Sequence, residues 1–311
     1  CRGKRKGVHM TKNKYNTIFN RKGMRFAHLC LIIPLAHFAV FYVYLNFQSI
    51  MLAFGYPANG GDWTFTFEYF RQFFVEVTLP DTQIYNALMN TLLFFSFSLI
   101  KMVLCYLVAY FFFKKVFFHK FFKIVFLLPT IIPSVVYISL FKEFINTYGP
   151  LWKLLYTLFD YEMPLLTGNA DTAKWVILFY TMWIGFGIQL FIYIGAMNRI
   201  PGEVLESGKL DGCGWLREMF RIVLPLTWET FIIYFIQAVA SIFMSTGPIL
   251  YFTGMAETLD TWTLNYYIFV QTRKNLLNYA SAVGIFFSVL TVPIVICTRL
   301  ILRRFNGEVS Y

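Results

Sequence analysis

Charge is scarce in this sequence. Only 14% of its 311 residues are Asp, Glu, Lys or Arg, and 58% are hydrophobic, which excludes an ordinary soluble domain, where about a quarter of residues are charged. Acids are missing from the long apolar runs apart from Glu229 near the start of one, so there is no chain of intramembrane carboxylates such as a proton-driven carrier uses. No G-x-x-x-x-G-K-[ST], G-x-S-x-G or H-E-x-x-H occurs, which removes the phosphate loop, the nucleophile elbow and the zinc-protease helix. The histidines His9, His28, His37 and His119 have no carboxylate at ligand spacing. The cysteines Cys1, Cys30, Cys105, Cys213 and Cys297 are scattered and odd in number, with neither a disulfide framework nor a metal motif. The chain is expected to hold no catalytic residue, no metal and no cofactor, and not to be an enzyme.

What is present is apolar length. A bilayer core of roughly 30 Å needs about 20 apolar residues in a helix, and six such windows occur, at about Ala27 to Ala53, Ala87 to Phe113, Ile124 to Phe141, Trp175 to Met197, Leu226 to Leu250 and Ala280 to Ile301. A β-barrel would show short alternating strands instead of unbroken runs, and water-soluble helices would need a polar face. The expected fold is all-α, a polytopic membrane protein of six transmembrane helices. The first run lacks a small-x-small cleavage site behind it and reads as a retained signal anchor. Residues 1–26 form a basic cytoplasmic segment, 27–302 the membrane domain and 303–311 a cytoplasmic tail.

Lys and Arg set the orientation. Twenty of them lie before the first run, in the second-to-third and fourth-to-fifth connections and in the tail, against six on the other side. The positive-inside rule then makes both termini cytoplasmic in a multi-pass bacterial plasma-membrane protein. The net charge of +11 is accounted for by anionic headgroups at these helix ends, so membrane lipids are partners and nucleic acid is not.

The connection 199–225 carries the most specific pattern: Glu206, Ser207, Gly208, then Gly212, then Ile222, Leu224 and Pro225. Pro201 suits the start of a helix, Glu203 its first turn and Gly212 its end. Val204 shares a face with Ser207 or Gly208. A second amphipathic stretch, Trp215, Leu216, Phe220 and Val223, leads to Pro225 at the head of the fifth span. The expectation is a helical hairpin on the cytoplasmic face, with a carboxylate and two glycines turned outward for another protein to approach.

This spacing resembles the cytoplasmic EAA loop of importer-type ABC permeases, with Ser207-Gly208 where the family carries an alanine pair. Further stretches are similar to the maltose-permease-like group of carbohydrate importers: Asn90-Thr91-Leu92, Leu128-Pro129, Ile132-Pro133, Tyr148-Gly149-Pro150-Leu151, Trp183-Ile184-Gly185-Phe186-Gly187, Gly195 to Pro201, Thr246-Gly247-Pro248, Thr263-Leu264 and Tyr279 to Ala282. The resemblance implies a type I ABC importer permease fold. It implies that Glu206, Ser207, Gly208, Gly212, Ile222, Leu224 and Pro225 couple the chain to a separate cytoplasmic ATPase, present in two copies, which alone binds ATP. It also implies a second homologous permease, an extracytoplasmic solute-binding protein and a sugar substrate. The substrate path is expected to run along Ile184, Gly185, Ile188, Gln189, Gln237, Ser241 and Ser245. Polar groups at that depth either face a cavity or hydrogen-bond between helices. Lys101, alone inside the second run, either serves transport or is satisfied by a partner subunit, a carbonyl or snorkelling. Other cargo for such a permease (polyamine, phosphonate or peptide) and a secondary transporter stay open as alternatives.

Overall fold

The computed structural model describes residues 21–55, 64–254 and 260–304, without the side chains of 21–27, 170, 171 and 303. Every regular element among them is helical. The expected N-terminal segment and tail lie mostly outside the described residues. The first rod comprises α1 (Arg21–Phe38), a π-helical turn (Ala39–Tyr44) and α2 (Leu45–Ala53). No residue of its most apolar window is buried within the chain, although α2 leans on the last helix and buries Ala53 at its end. An amphipathic helix, α3 (Glu68–Thr78), turns its Phe73 inward and leads to α4 (Gln83–Phe113). At the head of α4 the Thr82 hydroxyl accepts from the Tyr85 N–H at 3.3 Å, a side-chain N-cap. With 31 residues α4 is about 46 Å long. It is the central post, packed against helices from both the middle and the last third of the chain.

The third apolar window is broken, not straight. α5 (His119–Ile131) and α6 (Ser134–Phe144) meet at 111°. Pro133 lacks an N–H and pushes the preceding Ile132 out of the helical region, to ψ 135°. After α7 (Pro150–Phe159) come α8 (Ala170–Ile184) and α9 (Phe186–Met197), separated only by Gly185. The connection that follows folds as α10 (Gly202–Leu210), α11 (Trp215–Glu218), a π turn (Met219–Val223) and α12 (Leu224–Leu226).

The fifth window also departs from the expected Leu226 to Leu250. Its helix, α13 (Trp228–Ala240), starts after a 74° bend at Thr227 and stops ten residues early. Pro225 therefore lies before the bend and not at the head of the span. Beyond Ala240 the chain turns through Gly247, at φ +55°, because Pro248 disfavours a helical residue before it. The freed carbonyls find other donors: Asn265 Nδ2 reaches Met244 O at 2.7 Å and Thr263 Oγ1 reaches Ser245 O at 2.9 Å. Then follow α14 (Ile249–Thr253), α15 (Leu264–Arg273) and α16 (Leu277–Arg304). Among the described residues four helices are long and apolar enough to cross a bilayer, or up to six spans if each bent pair is counted as one.

Two apolar cores are stacked along α4. One gathers its first half with α3, α6, α8, α14, α15 and α16, around Phe94, Ile177, Tyr180, Tyr266 and Val283. The other gathers its second half with α9 and the π turn, around Tyr106, Tyr110, Tyr193, Met197 and Val223.

Candidate functional site

The 199–225 connection is a hairpin with two unlike sides. Pro201 caps α10 from just outside it, and Glu203 lies in the first turn. At the other end Gly212 takes φ +75°, its N–H donates to Lys209 O at 3.0 Å and the Cys213 N–H donates to Gly208 O at 3.0 Å. This is the Schellman closure that only a residue tolerant of positive φ adopts without strain. Glu206 and Ser207 face solvent, and the Ser207 hydroxyl is occupied by Val204 O at 3.0 Å. Gly212 is open, with nothing within 4 Å of where a Cβ would stand. Gly208 corrects the expectation of two outward glycines: it is buried, and a Cβ there would stand 2.6 Å from the Ile222 methyl. Its smallness serves the closure of the hairpin on itself.

The second limb is oriented differently from its sequence reading as well. Glu218, Met219 and Val223 turn inward, whereas Leu210, Trp215, Leu216 and Phe220 are exposed, as is Pro225, with Leu224 half-buried. Inside, the Lys114 ammonium at the end of α4 sits 2.5 Å from Glu218 Oε1 and 2.8 Å from Oε2. The Tyr110 hydroxyl donates to Trp215 O at 3.0 Å, and Tyr106 and Thr227 share a hydroxyl contact of 2.8 Å. The hairpin is thus bolted to α4 through Glu218 and Trp215, and leaves Glu206, Leu210, Leu216 and Phe220 exposed.

Where the two cores meet, three helical stripes open onto a cavity of about 520 Å³. Ser98, Lys101 and Met102 come from α4, Gly185, Ile188, Gln189 and Ile192 from the α8–α9 junction, and Tyr234, Gln237, Ala238 and Ser241 from α13 and its end. Each set repeats at three and four residues, one face of a helix. Of the expected path, the structure brings Gly185, Ile188, Gln189, Gln237 and Ser241 together. It leaves out Ile184, which packs on the first core, and Ser245, whose carbonyl is held by Thr263. Sequence reasoning missed Ser98 and Tyr234, although each lies three residues before a polar neighbour, Lys101 and Gln237. Gln189 Nε2 reaches the Tyr193 hydroxyl at 3.3 Å, so part of the amide serves packing within its own helix.

A family of proteins described as binding-protein-dependent transport system inner membrane components matches residues 101–310. The chain belongs to this family. Similar proteins include the probable ABC transporter permease protein YurN of Bacillus subtilis (strain 168), 26% identical over 223 residues, covering 69% of this chain and 75% of YurN. Protein LplB of the same organism is 25% identical over 301 residues, 91% of this chain and 90% of LplB. The maltose/maltodextrin transport system permease MalF of Escherichia coli (strain K12) matches 106 residues at 27% identity, 34% of this chain and 20% of MalF. The fold is that of a solved bacterial ABC transporter involved in import of the acidic polysaccharide alginate, with a TM-score of 0.75 over 92% of this chain and 98% of that one at 19% identity. This permease is a non-enzymatic membrane component of a binding-protein-dependent ABC importer.

Several motifs of the permease act as fasteners and do not reach the cavity. Asn90 donates to Trp262 O at 3.1 Å, and Thr91 accepts from the Leu264 N–H at 2.8 Å while donating to Ala87 O at 2.7 Å. Together they strap the segment before α15 to α4. Lys174 pairs with Asp260 at 3.0 Å, and Tyr279 hydrogen-bonds Glu76. Gly187 lets α9 cross α5 closely, since a Cβ there would lie 2.3 Å from Thr130 Cγ2 and 2.8 Å from Phe126 O.

Proposed function

We propose that this permease forms half of the path of an ATP-driven carbohydrate importer. In this reading it pairs with a second homologous permease, one of two cytoplasmic ATPase copies docks at the hairpin of α10 and α11, and an extracytoplasmic solute-binding protein delivers the sugar. Both termini are cytoplasmic, as the distribution of Lys and Arg argues. The carrying observation is the two-sidedness of the hairpin. Glu206, Ser207, Leu210, Trp215 and Phe220 of the hairpin are exposed, while Lys114–Glu218 ties it to α4 from within. A push on the outer face is transmitted to the same helix that carries Ser98 and Lys101 into the cavity.

The cavity supports a polyhydroxylated cargo. Two amides, two serine hydroxyls and a tyrosine, set among apolar side chains, match the alternation of hydroxyls and C–H faces on a sugar ring. Lys101 on its wall opposes a polyamine, whose charges it would repel. MalF is a maltose/maltodextrin permease, in keeping with a sugar here. The test is Glu206→Lys in the assembled transporter. Membrane insertion should be unchanged and the ATP hydrolysis stimulated by loaded binding protein lost; normal stimulation in that variant would overturn the docking assignment.

A further inference from the structure

The carbohydrate reading treats the cavity as a set of neutral hydrogen-bonding groups, but one of its walls is charged. Among the described residues Lys101 is the only amine lining the cavity, and no Asp or Glu lines it. Counted along α4, Lys101 stands twelve residues from Phe113, about 18 Å from that end of the helix, and farther from the other, too deep to snorkel to an interface. A Cβ on Gly185 would lie 2.6 Å from Nζ and 3.1 Å from Cδ, so the side chain crosses to the α8–α9 junction and ends where the missing side chain of Gly185 leaves room. Lys101 joins none of the ion pairs Arg71–Glu68, Lys114–Glu218 and Lys174–Asp260. Lys142 shows how this chain satisfies an amine internally, on the carbonyls of Tyr251 and Phe252 at 3.1 and 3.2 Å. Lys101 has no comparable pair of carbonyls. A positive charge held at bilayer depth is costly unless something in a water-filled path meets it.

We propose that the cargo is an acidic sugar, and that Lys101 is the specificity-determining residue that receives its carboxylate or sulfate group in the cavity. This rests on the carbohydrate reading above and narrows it. Ser98, Gln189, Gln237 and Ser241 then take hydroxyls, and Gly185 is small because the ammonium must lie against it. Gly185→Ala would crowd the ammonium away and weaken the same preference.

The test compares the intact transporter, with its own binding protein, in proteoliposomes carrying wild type, Lys101→Met or Lys101→Arg. The probes are radiolabelled uronate oligosaccharides, sulfated oligosaccharides and their neutral counterparts. The same binding protein is present in every arm, so a change in the ratio of acidic to neutral import reports the permease. The expected result is import of an acidic probe by wild type, a fall of about tenfold or more in the acidic-to-neutral ratio for Lys101→Met, and recovery of most of it for Lys101→Arg. The uronate and sulfate arms identify the acid. Equal loss of acidic and neutral import in Lys101→Met would assign Lys101 to packing or to a carboxylate of the second permease and overturn the proposal. Import of neutral sugars alone by wild type would overturn it while leaving the carbohydrate reading intact. Import of no sugar by wild type, with a non-sugar solute carried instead, would remove the carbohydrate reading itself.

Discussion

Glu218 is a carboxylate with almost no access to solvent, and its nearest countercharge arrives from more than a hundred residues earlier in the chain. Its side chain is 3% exposed and that of Lys114 26%, so removing one partner strands a buried charge, which costs about 3 kcal/mol when burial is nearly complete. Lys114→Met should therefore lower the melting temperature of the detergent-solubilised transporter clearly, and Lys114→Met with Glu218→Met should recover most of the loss. A thiol-reactive dye melt on both variants checks this; wild-type melting of the single variant would mean the pair carries little. In the sequence Lys114 registered only as part of the basic end of a helix, because nothing local marks which acid it meets. Gly187 is the apolar counterpart. Gly187→Ala brings a methyl 2.3 Å from Thr130 Cγ2 and should destabilise by about 1–3 kcal/mol through overpacking. Thr130→Ala in the same chain should return part of that in the same melt, though the Phe126 carbonyl remains in the way.

The hairpin shows how far local rules reach at the level of elements. Pro201, Glu203 and Gly212 mark the two ends of α10 in the sequence, and the helix Gly202–Leu210 closes at Gly212 with positive φ. An alanine at that position pays the left-handed penalty of roughly 1–2 kcal/mol. Gly212→Ala should speed amide hydrogen exchange across residues 202–213, with little change in α13; unaltered exchange would show that packing on Ile222, and not the turn, holds the hairpin. The third window shows the limit of these rules: it reads as one run from Ile124 to Phe141, yet it breaks at Pro133 and continues through Pro129. They do not say that Gly208 turns inward or that Trp215, Leu216 and Phe220 turn outward, because a short amphipathic stretch defines a stripe without naming its partner. The fifth window misleads for a related reason: hydropathy continues from Ala240 to Leu250, while Gly247-Pro248 and the donors Thr263 and Asn265 draw the backbone out of the helix.

For the whole molecule, the decisive feature is that two cores share α4 and leave a gap where they meet. Gln237 and Ser241 open into that gap, whereas Phe179 is exposed on the outside of α8 and Ile233 on the outside of α13. With Cys30 and Cys297, which are exposed, first replaced, Gln237→Cys and Ser241→Cys should react with a charged thiol reagent at rates that change several-fold between nucleotide-free and nucleotide-trapped transporter. Phe179→Cys should react slowly in both. Equal rates in all three would argue that the gap is closed to water throughout. The first rod adds a second whole-molecule statement: no residue of its most apolar window is buried by this chain, so the face of that window turned away from α16 is covered by lipid or another subunit.

Long unbroken apolar runs, the placement of Lys and Arg, and the order of Glu206, Gly212 and Leu224-Pro225 determined from sequence alone that this is a helical membrane protein with a patterned hairpin, because hydropathy, charge and turn chemistry act over a few neighbouring residues. Which polar side chains share a cavity, which glycines serve close packing, and where Lys101 sends its charge were decided only by the tertiary structure. Those facts depend on distant helices crossing one another, and no window along the chain contains both sides of such a contact.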